Sequence, residues 1–372
     1  MTPLFYPQVG GQQTRFLAIG SELVRRGHSV DVFCIGYEPG LSPVEDVQGI
    51  HVERFPFPKG PTERPRLLGS RTLARVGRVL TIQSRYMIGV RRRVRSRHYD
   101  WIYFNQYPLV HILAVPRSAR KRSAVDWCEV RDDFPLPWAQ RWLPRLVSVN
   151  FCVQEDIASV IARNSGAPVH YLPVGAFLER YKADSPSERN GWLYVGRWYP
   201  NKRIPLLIES WAAFRGSGGS GTLTLVGDGP TREAVLDTID RLPAELREDV
   251  ILPGPVTDDA KLSLLASSRL LVLTSDLEGF PNVVVEAIAS ALPVLTVDEP
   301  HNGTAGVVRS LGIGEVAAPQ ASAIAEAAHK VLADWERYSL RAKQAATTFH
   351  WRHIVDRFLS LLPLDQQPAT DR

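Results

Sequence analysis

The second half of the chain alternates short apolar runs with longer segments of helical spacing, and this alternation restricts the fold more than any other feature. Five runs are expected to be strands: 191–196, 222–226, 250–252, 269–274 and 293–297. The segments between them are expected to be helices, at 203–214, from Thr231, at 258–266 and at 282–291. Strands that alternate with such helices build a parallel sheet covered on both faces. The sequence predicts a doubly wound α/β domain over residues 183–347.

The first half repeats this pattern less regularly. A helix is expected at 14–26, strands at 28–34, 100–104, 123–127 and 145–149, and basic helices at 68–97. A chain of 372 residues is too long for one ordinary core. We therefore expect a second Rossmann-like domain over 1–182, and an amphipathic helix with a tail over 348–372 that crosses back to it.

The start of the first domain is irregular for this type of fold. A doubly wound domain opens with a buried strand, but only the four residues 3–6 read as a strand before Gly10 and Gly11. Either the first strand is very short or the start of the domain lies upstream. A missing central strand would leave a gap in the sheet, so we expect a compensating feature.

Charge divides the chain in the same way. Residues 1–180 have 25 Lys and Arg against 15 Asp and Glu, a net +10, whereas residues 181–372 have 19 against 24, a net −5. Opposite signs suggest two domains with different partners. Eleven arginines and no acid lie between residues 64 and 97. This basic segment fits peripheral contact with an anionic membrane, a polyanionic acceptor or a solvated face, and no motif favours nucleic acid.

The sequence also disfavours membrane-spanning, secreted and metal-binding proteins. No apolar run reaches the roughly 18–20 residues of a membrane span, and the N-terminus does not have the pattern of a signal peptide. Cys34, Cys128 and Cys152 are scattered without metal or redox spacing, which indicates reduced thiols of a cytoplasmic protein. Asp132 and Asp133 have no partner ligand nearby in the sequence, so we expect no metal site.

The segment 275–291 is the most informative candidate site. It follows the apolar run 269–274, and Pro281 suits the first turn of a helix. The amides of residues 279–283 would then face an anion at the carboxyl end of the strand. Glu278 would lie beside that anion, and Glu286, more than one turn later, could reach a pair of hydroxyls. The alternative is an acidic loop before a helix with one solvated glutamate.

Three weaker motifs occur at other predicted strand or helix ends. Arg197 and Lys202 follow the run 191–196 and could clamp a diphosphate, or could be solvated cations. The turn 227–230, with Gly227, permits close approach of a ring or phosphate, or is simple turn chemistry. Gly10 and Gly11 before the first helix could likewise approach a phosphate or sugar, or form an ordinary turn.

Together, in this order, these motifs resemble the GT-B retaining glycosyltransferases of family GT4, over nearly the whole chain and most specifically over 192–297. The resemblance implies two Rossmann-like domains facing across a cleft. It implies that Glu278 contacts the donor hexose, Glu286 the ribose, and Arg197 and Lys202 the diphosphate. The remaining residues implied to bind the donor lie in the two glycine motifs, near the base and in the hexose pocket: Gly10, Gly11, Gly227, Val256, Gly279, Phe280, Pro281, Asn282 and Val283.

The resemblance further implies metal-independent transfer from a nucleoside diphosphate sugar, with a UDP-sugar favoured, to a small-molecule, lipid or glycan acceptor. Many relatives have a histidine after the strand matching 123–127, whereas this chain has Asp126, Trp127, Cys128 and Glu129. Either Asp126 or Glu129 could orient the acceptor, or this is a structural strand end. The alternatives to a transferase are a sugar-nucleotide epimerase and a non-catalytic partner subunit.

Overall fold

The computed structural model describes residues 1–8, 10–37, 40–56, 71–106, 112–128, 141–182 and 188–363, without the side chains of residues 71–83 and 156. Contacts divide the chain into two compact units. The first comprises Met1–Leu172 with Val355–Arg372, and the second comprises Pro173–Ile354. Glu129, Asp132 and Asp133 lie outside the described residues.

The first unit contains seven described strands in two sheets. Their bounds are Asp31–Gly36 (β1), Val44–Val47 (β2), Ile50–Pro56 (β3), Ile102–Asn105 (β4), Ser123–Trp127 (β5), Val149–Cys152 (β6) and His170–Tyr171 (β7). One sheet has the order β1-β3-β2, with β1 and β3 parallel and β2 antiparallel to β3. The other is a parallel sheet of order β4-β5-β6-β7.

The first three residues bridge these two sheets. Thr2 N donates to Phe33 O at 3.1 Å, and Ile35 N donates to Pro3 O at 3.0 Å. On the other side, the amino group of Met1 donates to Tyr103 O at 2.6 Å. This irregular segment therefore occupies the place of a strand between β1 and β4, which is the compensating feature expected from the sequence.

Helices of the first unit pack against these strands. They are Gly11–Arg25 (α1), Arg71–Ser96 (α2) and Glu155–Ser165 (α3). Helix α3 ends at Gly166, whose left-handed φ of 68° suits glycine. Phe16 of α1 stacks on Tyr103 at 4.7 Å between ring centroids, and Tyr86 of α2 donates its hydroxyl to Phe33 O at 2.9 Å. Helices α1 and α2 are thus fixed to the sheets by aromatic side chains.

The second unit is built on one six-stranded parallel sheet. Its strands are Asn190–Val195 (β8), Leu223–Val226 (β9), Val250–Gly254 (β10), Ser268–Leu273 (β11), Val294–Val297 (β13) and Gly314–Ala317 (β15). Their order in the sheet is β10-β9-β8-β11-β13-β15. A small parallel pair joins Leu277–Glu278 (β12) to His301–Asn302 (β14). The five strands expected from the sequence of this half are confirmed, and β15 was not predicted.

Helices connect these strands and cover the sheet. They are Ile204–Gly216 (α4), Arg232–Asp240 (α5), Ala244–Arg247 (α6), Asp258–Ser267 (α7), Asn282–Ala289 (α8), Gly303–Leu311 (α9), Ala321–Ala333 (α10) and Trp335–Ala346 (α11). Thr257 caps α7 by accepting from Ala260 N at 3.3 Å. Central β11 is almost entirely buried, as a parallel strand covered on both faces should be.

The last helix, Trp351–Ser360 (α12), has its first residues in the second unit and its last in the first. Phe358 packs on Tyr103 and Phe151, with ring centroids 5.1 and 5.0 Å apart, respectively.

The prediction of a strand at 145–149 was wrong, because Leu143–Leu146 forms a 3-10 turn and β6 begins only at Val149. Within the described ranges, no helix is both long and apolar enough to cross a membrane.

Candidate active site

In the second unit, the loops after β8 and β11 meet where the strand order reverses. Chain order runs outward from β8 through β9 and β10 on one side, and from β11 through β13 and β15 on the other. Asp276 N donates to Asn201 O at 3.0 Å, and Asn201 Nδ2 donates to Leu277 O at 3.1 Å. Ligands of open α/β sheets bind in the crevice at such a reversal.

Lys202 and Glu278 form an ion pair across these loops. Lys202 Nζ lies 2.5 Å from Glu278 Oε1, and Ser275 Oγ donates to the same oxygen at 2.8 Å. The two ionic side chains are 20% and 12% exposed, so both can be reached from outside. In the part of the chain that the structure describes, no side chain or amide donates to Glu278 Oε2. The second oxygen can therefore accept a hydrogen bond from a ligand hydroxyl.

The backbone of Glu278 is held by the pairing of β12 with β14, in which Glu278 faces Asn302. Asn302 is itself fixed, because its Nδ2 donates to Thr296 Oγ1 at 2.9 Å and to Val297 O at 2.8 Å. Its side chain also accepts from Thr304 N at the start of α9. The position of Glu278 thus depends on the end of β13 as well as on its own loop.

Helix α8 begins beside this pair. Its first residue is Asn282. Pro281, which the sequence placed in the first turn, is instead the cap residue before the helix, with φ −65°. Phe280 and Val283 point into the core, with 6% and 7% exposure. These two residues can therefore offer a ligand their backbone amides rather than their side chains. The first amides of a helix have no acceptor within it and carry partial positive charge.

Glu286, one turn into α8, has an arrangement like that of Glu278. Lys261 Nζ of α7 lies 2.9 Å from Glu286 Oε1 and 3.5 Å from Asp258 Oδ1. Burial opposes the Lys261 charge, but attraction to Glu286 and Asp258 outweighs it and raises the Lys261 pKa. Among the described residues nothing donates to Glu286 Oε2, so this oxygen is also open to a hydroxyl. Lys261 was not predicted, because only the fold brings it to Glu286.

Burial, with a smaller contribution from a nearby glutamate, raises the pKa of two tyrosines beside these carboxylates. The tyrosine near Glu286 is Tyr181, and the one near Glu278 is Tyr194. Both tyrosines therefore stay neutral, and Tyr194 donates its hydroxyl to Arg197 O at 3.2 Å. Neither tyrosine therefore adds a negative charge near the two glutamates.

The glycine turn after β9 brings three loops together. Gly227 has φ 125°, and a Cβ at this position would lie 1.9 Å from Gly196 O. Its amide donates to Gly254 O at 3.0 Å, at the end of β10. Val256, the residue predicted to lie near the base, is half-buried in the loop after β10. The turn therefore joins the carboxyl ends of β8, β9 and β10, which gives Gly227 a packing role in addition to the predicted one.

Arg197 and Lys202 were predicted to act together, but their environments differ. Arg197 is exposed, with its guanidinium 5.1 Å from the centroid of the Tyr199 ring. Across the residues described here, Arg197 makes no ion pair. The structure places Lys202 at Glu278 and leaves the Arg197 guanidinium outside that pair.

Arg203 is a further charged residue of this loop that the sequence did not single out. It has a left-handed φ of 47° and precedes α4. Its guanidinium lies 2.5 Å from Glu299 Oε1 and 3.3 Å from Asp276 Oδ2. Arg203 thus links the loop after β11 to the loop after β13. The one available signal was its position next to Lys202, which does not separate a structural cation from a ligand-binding one.

The remaining predicted residues belong to the first unit. Gly10 and Gly11 form the start of α1, with Gly10 as the cap residue and its carbonyl accepting from Thr14 N at 3.0 Å. Gln12 Nε2, one residue further on, approaches Cys128 Sγ at 3.8 Å. The start of α1 therefore lies beside the end of β5, as the sequence order of a doubly wound domain requires.

Asp126 requires a correction. It is fully buried, and its two oxygens accept from Arg15 at 2.6 and 3.3 Å. Arg15 also donates to Leu172 O at 2.9 Å. Burial opposes the Arg15 charge, but Asp126 outweighs it and raises the pKa of Arg15. An acceptor cannot reach a carboxylate in this position, so the environment of Asp126 favours a structural role over the predicted contact with the acceptor.

No cluster of three or more His, Cys, Asp or Glu side chains suited to a metal ion occurs within the described ranges. All three cysteines are reduced thiols, and Cys34 and Cys152 are buried. Burial raises the pKa of both to about 12. These two thiols are therefore protonated at neutral pH and take no part in the candidate site.

Two family models match the chain, one in each half. Residues 177–348 match the family described as "Glycosyl transferases group 1", and residues 10–161 match the "Glycosyl transferase 4-like domain". The first match contains every predicted site residue of the second unit, and the second match contains Gly10, Gly11 and Asp126.

Individual proteins resemble the chain over most of its length. An uncharacterized glycosyltransferase of Methanocaldococcus jannaschii is 24% identical over 350 residues, covering 88% of this chain and 86% of its own. A GDP-mannose-dependent alpha-mannosyltransferase of Mycobacterium tuberculosis is 25% identical, covering 95% and 93%. The solved structure of Anabaena HepE in complex with UDP has a TM-score of 0.69 and 19% identity, covering 97% and 99%. The fold of this chain is therefore the GT-B fold.

Proposed function

We propose that this chain, which is a GT4-type glycosyltransferase with the GT-B fold, transfers a hexose or amino-hexose from a nucleoside diphosphate sugar to an acceptor hydroxyl. The observation that carries the proposal is the Lys202–Glu278 pair at the strand reversal, beside the start of α8. A cation and a helix N-terminus suit a diphosphate, and the open oxygen of a carboxylate suits a sugar hydroxyl. These are the groups that a sugar nucleotide presents side by side.

The leaving diphosphate is the part of the reaction that most needs stabilisation. In the proposed reaction the acceptor oxygen bonds to the anomeric carbon as the bond from that carbon to the diphosphate oxygen breaks. The acceptor proton passes to the departing phosphate. Negative charge grows on the diphosphate, and Lys202, Arg197 and the first amides of α8 are proposed to stabilise it. Departure and attack on one face of the sugar retain the anomeric configuration.

The two glutamates are proposed to bind different sugars of the donor. Glu278 is assigned to the hexose, with the backbone of Gly279, Phe280, Pro281 and Asn282 lining its pocket. Glu286 is assigned to the ribose, because Lys261 holds one of its oxygens and leaves the other open. The turn at Gly227 and the loop at Val256 are assigned to the base.

A UDP-sugar is the proposed donor, and the proposed reaction needs no metal ion or other cofactor. The UDP complex of the HepE structure supports uracil, whereas the mycobacterial relative is named for GDP-mannose. A thermal-shift panel of UDP-, GDP-, ADP- and TDP-sugars separates these bases, because a ligand that binds the folded state raises the melting temperature. We expect the largest rise with a UDP-sugar. No rise with any of them contradicts the donor site.

The first unit is proposed to bind the acceptor, which is a natural product of the aminoglycoside type or a precursor of a cell-surface glycan. Incubation of the donor with candidate acceptors, followed by mass spectrometry, should give the mass of a hexosyl adduct. Proton NMR of that adduct should show the anomeric configuration of the donor. An isomer of the sugar nucleotide formed without any acceptor would contradict transfer and indicate an epimerase.

Peripheral contact with an anionic membrane through residues 64–97 is the remaining part of this proposal. The described part of this segment is helix α2, whose last turns include Arg91, Arg92, Arg93 and Arg95. Co-sedimentation with anionic vesicles at two salt concentrations tests it, because screening weakens contacts of exposed charges. Binding that is absent at low salt contradicts membrane contact and leaves the donor site unaffected.

A further inference from the structure

A groove on the first unit is lined by arginines that the candidate active site does not use. It is open, has a volume of about 900 Å³, and lies between the end of α2 and the 3-10 turn Arg117–Arg122. Its arginines come from these two segments: Arg91, Arg95, Arg97, Arg117, Arg120 and Arg122. The lining contains His98 but no acidic residue.

Nearby acids offset little of this charge. Arg97 pairs with Asp31 at 3.0 Å, and His98 lies 3.6 Å from the exposed Asp100. Within the described ranges, five of the groove arginines make no ion pair with an acid: Arg91, Arg95, Arg117, Arg120 and Arg122. These guanidinium groups therefore have no anionic partner among the described residues.

Of these arginines, Arg120 has the least favourable electrostatic environment. Its Nε is buried and has no hydrogen-bond partner among the residues described. Burial, followed by repulsion from Arg117 and Arg91, lowers the pKa of Arg120. Both effects disfavour the charged form of Arg120, and the attraction of an anion bound in the groove would offset both.

The groove is also built rather than being a chance cluster of long side chains. Arg91 donates from one guanidinium nitrogen to Leu113 O at 2.8 Å, and Arg122 contacts the His98 ring at 3.1 Å. Each contact joins the α2 side of the groove to the side that precedes β5. The two walls are thus tied together at two points by their own arginines.

The groove lies at the amino ends of the strands, whereas the predicted ligand-binding residues of this unit lie at the carboxyl ends. Its walls immediately precede β4 and β5, whose first residues, Ile102 and Ser123, are partners in the register. Gly10, Gly11 and Cys128 lie at the carboxyl ends. Four residues of strand, about 13 Å, separate the two ends.

We propose that this groove binds a ligand carrying at least two phosphate-ester or similar oxyanion groups, with Arg91, Arg117 and Arg120 as its main contacts. Arginine suits this ligand because its planar fork pairs with two phosphate oxygens at once. Two or more anionic groups are needed because one would leave part of the charge of three guanidiniums unbalanced. The ligand is either a soluble polyphosphorylated molecule or the headgroups of anionic lipids, which present the same chemistry.

The test uses the full chain and inorganic tripolyphosphate as the soluble probe, measured by titration calorimetry at low ionic strength. The variant Arg117→Gln/Arg120→Gln removes two groove arginines. The control Arg141→Gln/Arg163→Gln removes the same charge from exposed arginines that lie outside both the groove lining and the basic segment 64–97. None of these substitutions touches the candidate donor site, so any binding of tripolyphosphate there is common to all three proteins. Thermal melts check that both variants are folded.

A second arm repeats the comparison with phosphatidylglycerol vesicles, with phosphatidylcholine vesicles as the neutral reference. We expect the groove variant to bind at least about tenfold more weakly than the control in one arm, and that arm identifies the source of the ligand. Equal weakening in the groove and control variants in both arms would show an effect of net charge alone and overturn the proposal. Unchanged binding by the groove variant in both arms would overturn it as well.

Discussion

Lys202 Nζ lies 2.5 Å from Glu278 Oε1, across the reversal point of a six-stranded parallel sheet. The pair joins a loop that follows β8 to a loop that follows β11, although 76 residues separate the two side chains in sequence. Lys202 and Ser275 contact one carboxylate oxygen of Glu278, and the other oxygen is available to a ligand. The cation that is assigned to the diphosphate therefore also positions the carboxylate that is assigned to the hexose.

Lys202→Gln should reduce the turnover number by about 10²–10³-fold, because it removes a positive charge from the place where negative charge grows. Steady-state rates of transfer check this expectation. Lys343→Gln, an exposed lysine of α11, is the matched control and should behave like the unmodified protein. A Lys202→Gln protein with an unchanged turnover number would remove Lys202 from the proposed mechanism.

Lys261→Gln should raise the KM for the donor several-fold, with a smaller change in kcat. Lys261 contacts Glu286 and not the reacting atoms, so its loss loosens a binding carboxylate without removing transition-state charge. Lys261→Arg should restore much of the affinity, because arginine keeps the pairing charge. Donor saturation curves for both variants provide the measurement. A fall in kcat alone would argue against the positioning role.

Gly227→Ala should destabilise the second unit by about 2–3 kcal/mol or more, because φ 125° is strained for alanine and the new Cβ would overlap Gly196 O. Gly218→Ala is the matched control. Gly218 also has a positive φ, 91°, but nothing lies within 4 Å of its added Cβ, so only the backbone cost of about 1 kcal/mol applies. Urea unfolding of both variants separates overlap from backbone strain, and equal losses would show that the close approach is unimportant.

Asp126→Ala should destabilise the first unit by about 3–5 kcal/mol, because it leaves the buried Arg15 guanidinium without its carboxylate. The double variant Arg15→Met/Asp126→Leu should recover much of this loss, since it removes both charges. Thermal melts give the stability, and assays well below the melting temperature give the activity of the folded protein. An Asp126→Asn variant that melts normally but has lost transfer would instead support the predicted catalytic role.

The buried thiols lead to a prediction on pH. Burial raises the pKa of Cys34 and Cys152 from 9.0 to about 12. The unfolded chain therefore releases these two protons at lower pH than the folded chain, so both thiols should lower stability as pH rises above about 9. At pH 8 a maleimide should label the half-buried Cys128 in the native protein and all three cysteines after denaturation. Rapid native labelling of Cys34 or Cys152 would contradict their burial.

The strands and helices of the second unit could be predicted because its strands are buried on both faces and its loops contain residues that end a strand or begin a helix. The apolar run of β11 and the Pro281 that precedes α8 are both visible in the sequence. The hairpin of β2 and β3 was missed, since its turn is Gln48–Gly49, with positive φ at both residues, rather than the more familiar Asn-Gly.

The parts of the site that escaped prediction depend on tertiary contacts. Nothing near Lys261 in the sequence indicates Glu286, and nothing near Arg15 indicates Asp126, because each pair forms only when distant elements pack. Asp126 looked catalytic from its place at a strand end. Its complete burial by Arg15 and the surrounding strands is a property of the folded unit alone.

The central claim is that Glu278 binds the sugar that is transferred. Its most direct test is the release of nucleoside diphosphate from the preferred sugar nucleotide, with water as the acceptor, by the unmodified protein and by Glu278→Gln. Glu209→Gln, an exposed glutamate of α4, is the matched control. We predict that Glu278→Gln reduces release at least about 10²-fold while Glu209→Gln has no effect. Release by Glu278→Gln at the rate of the unmodified protein would contradict the account.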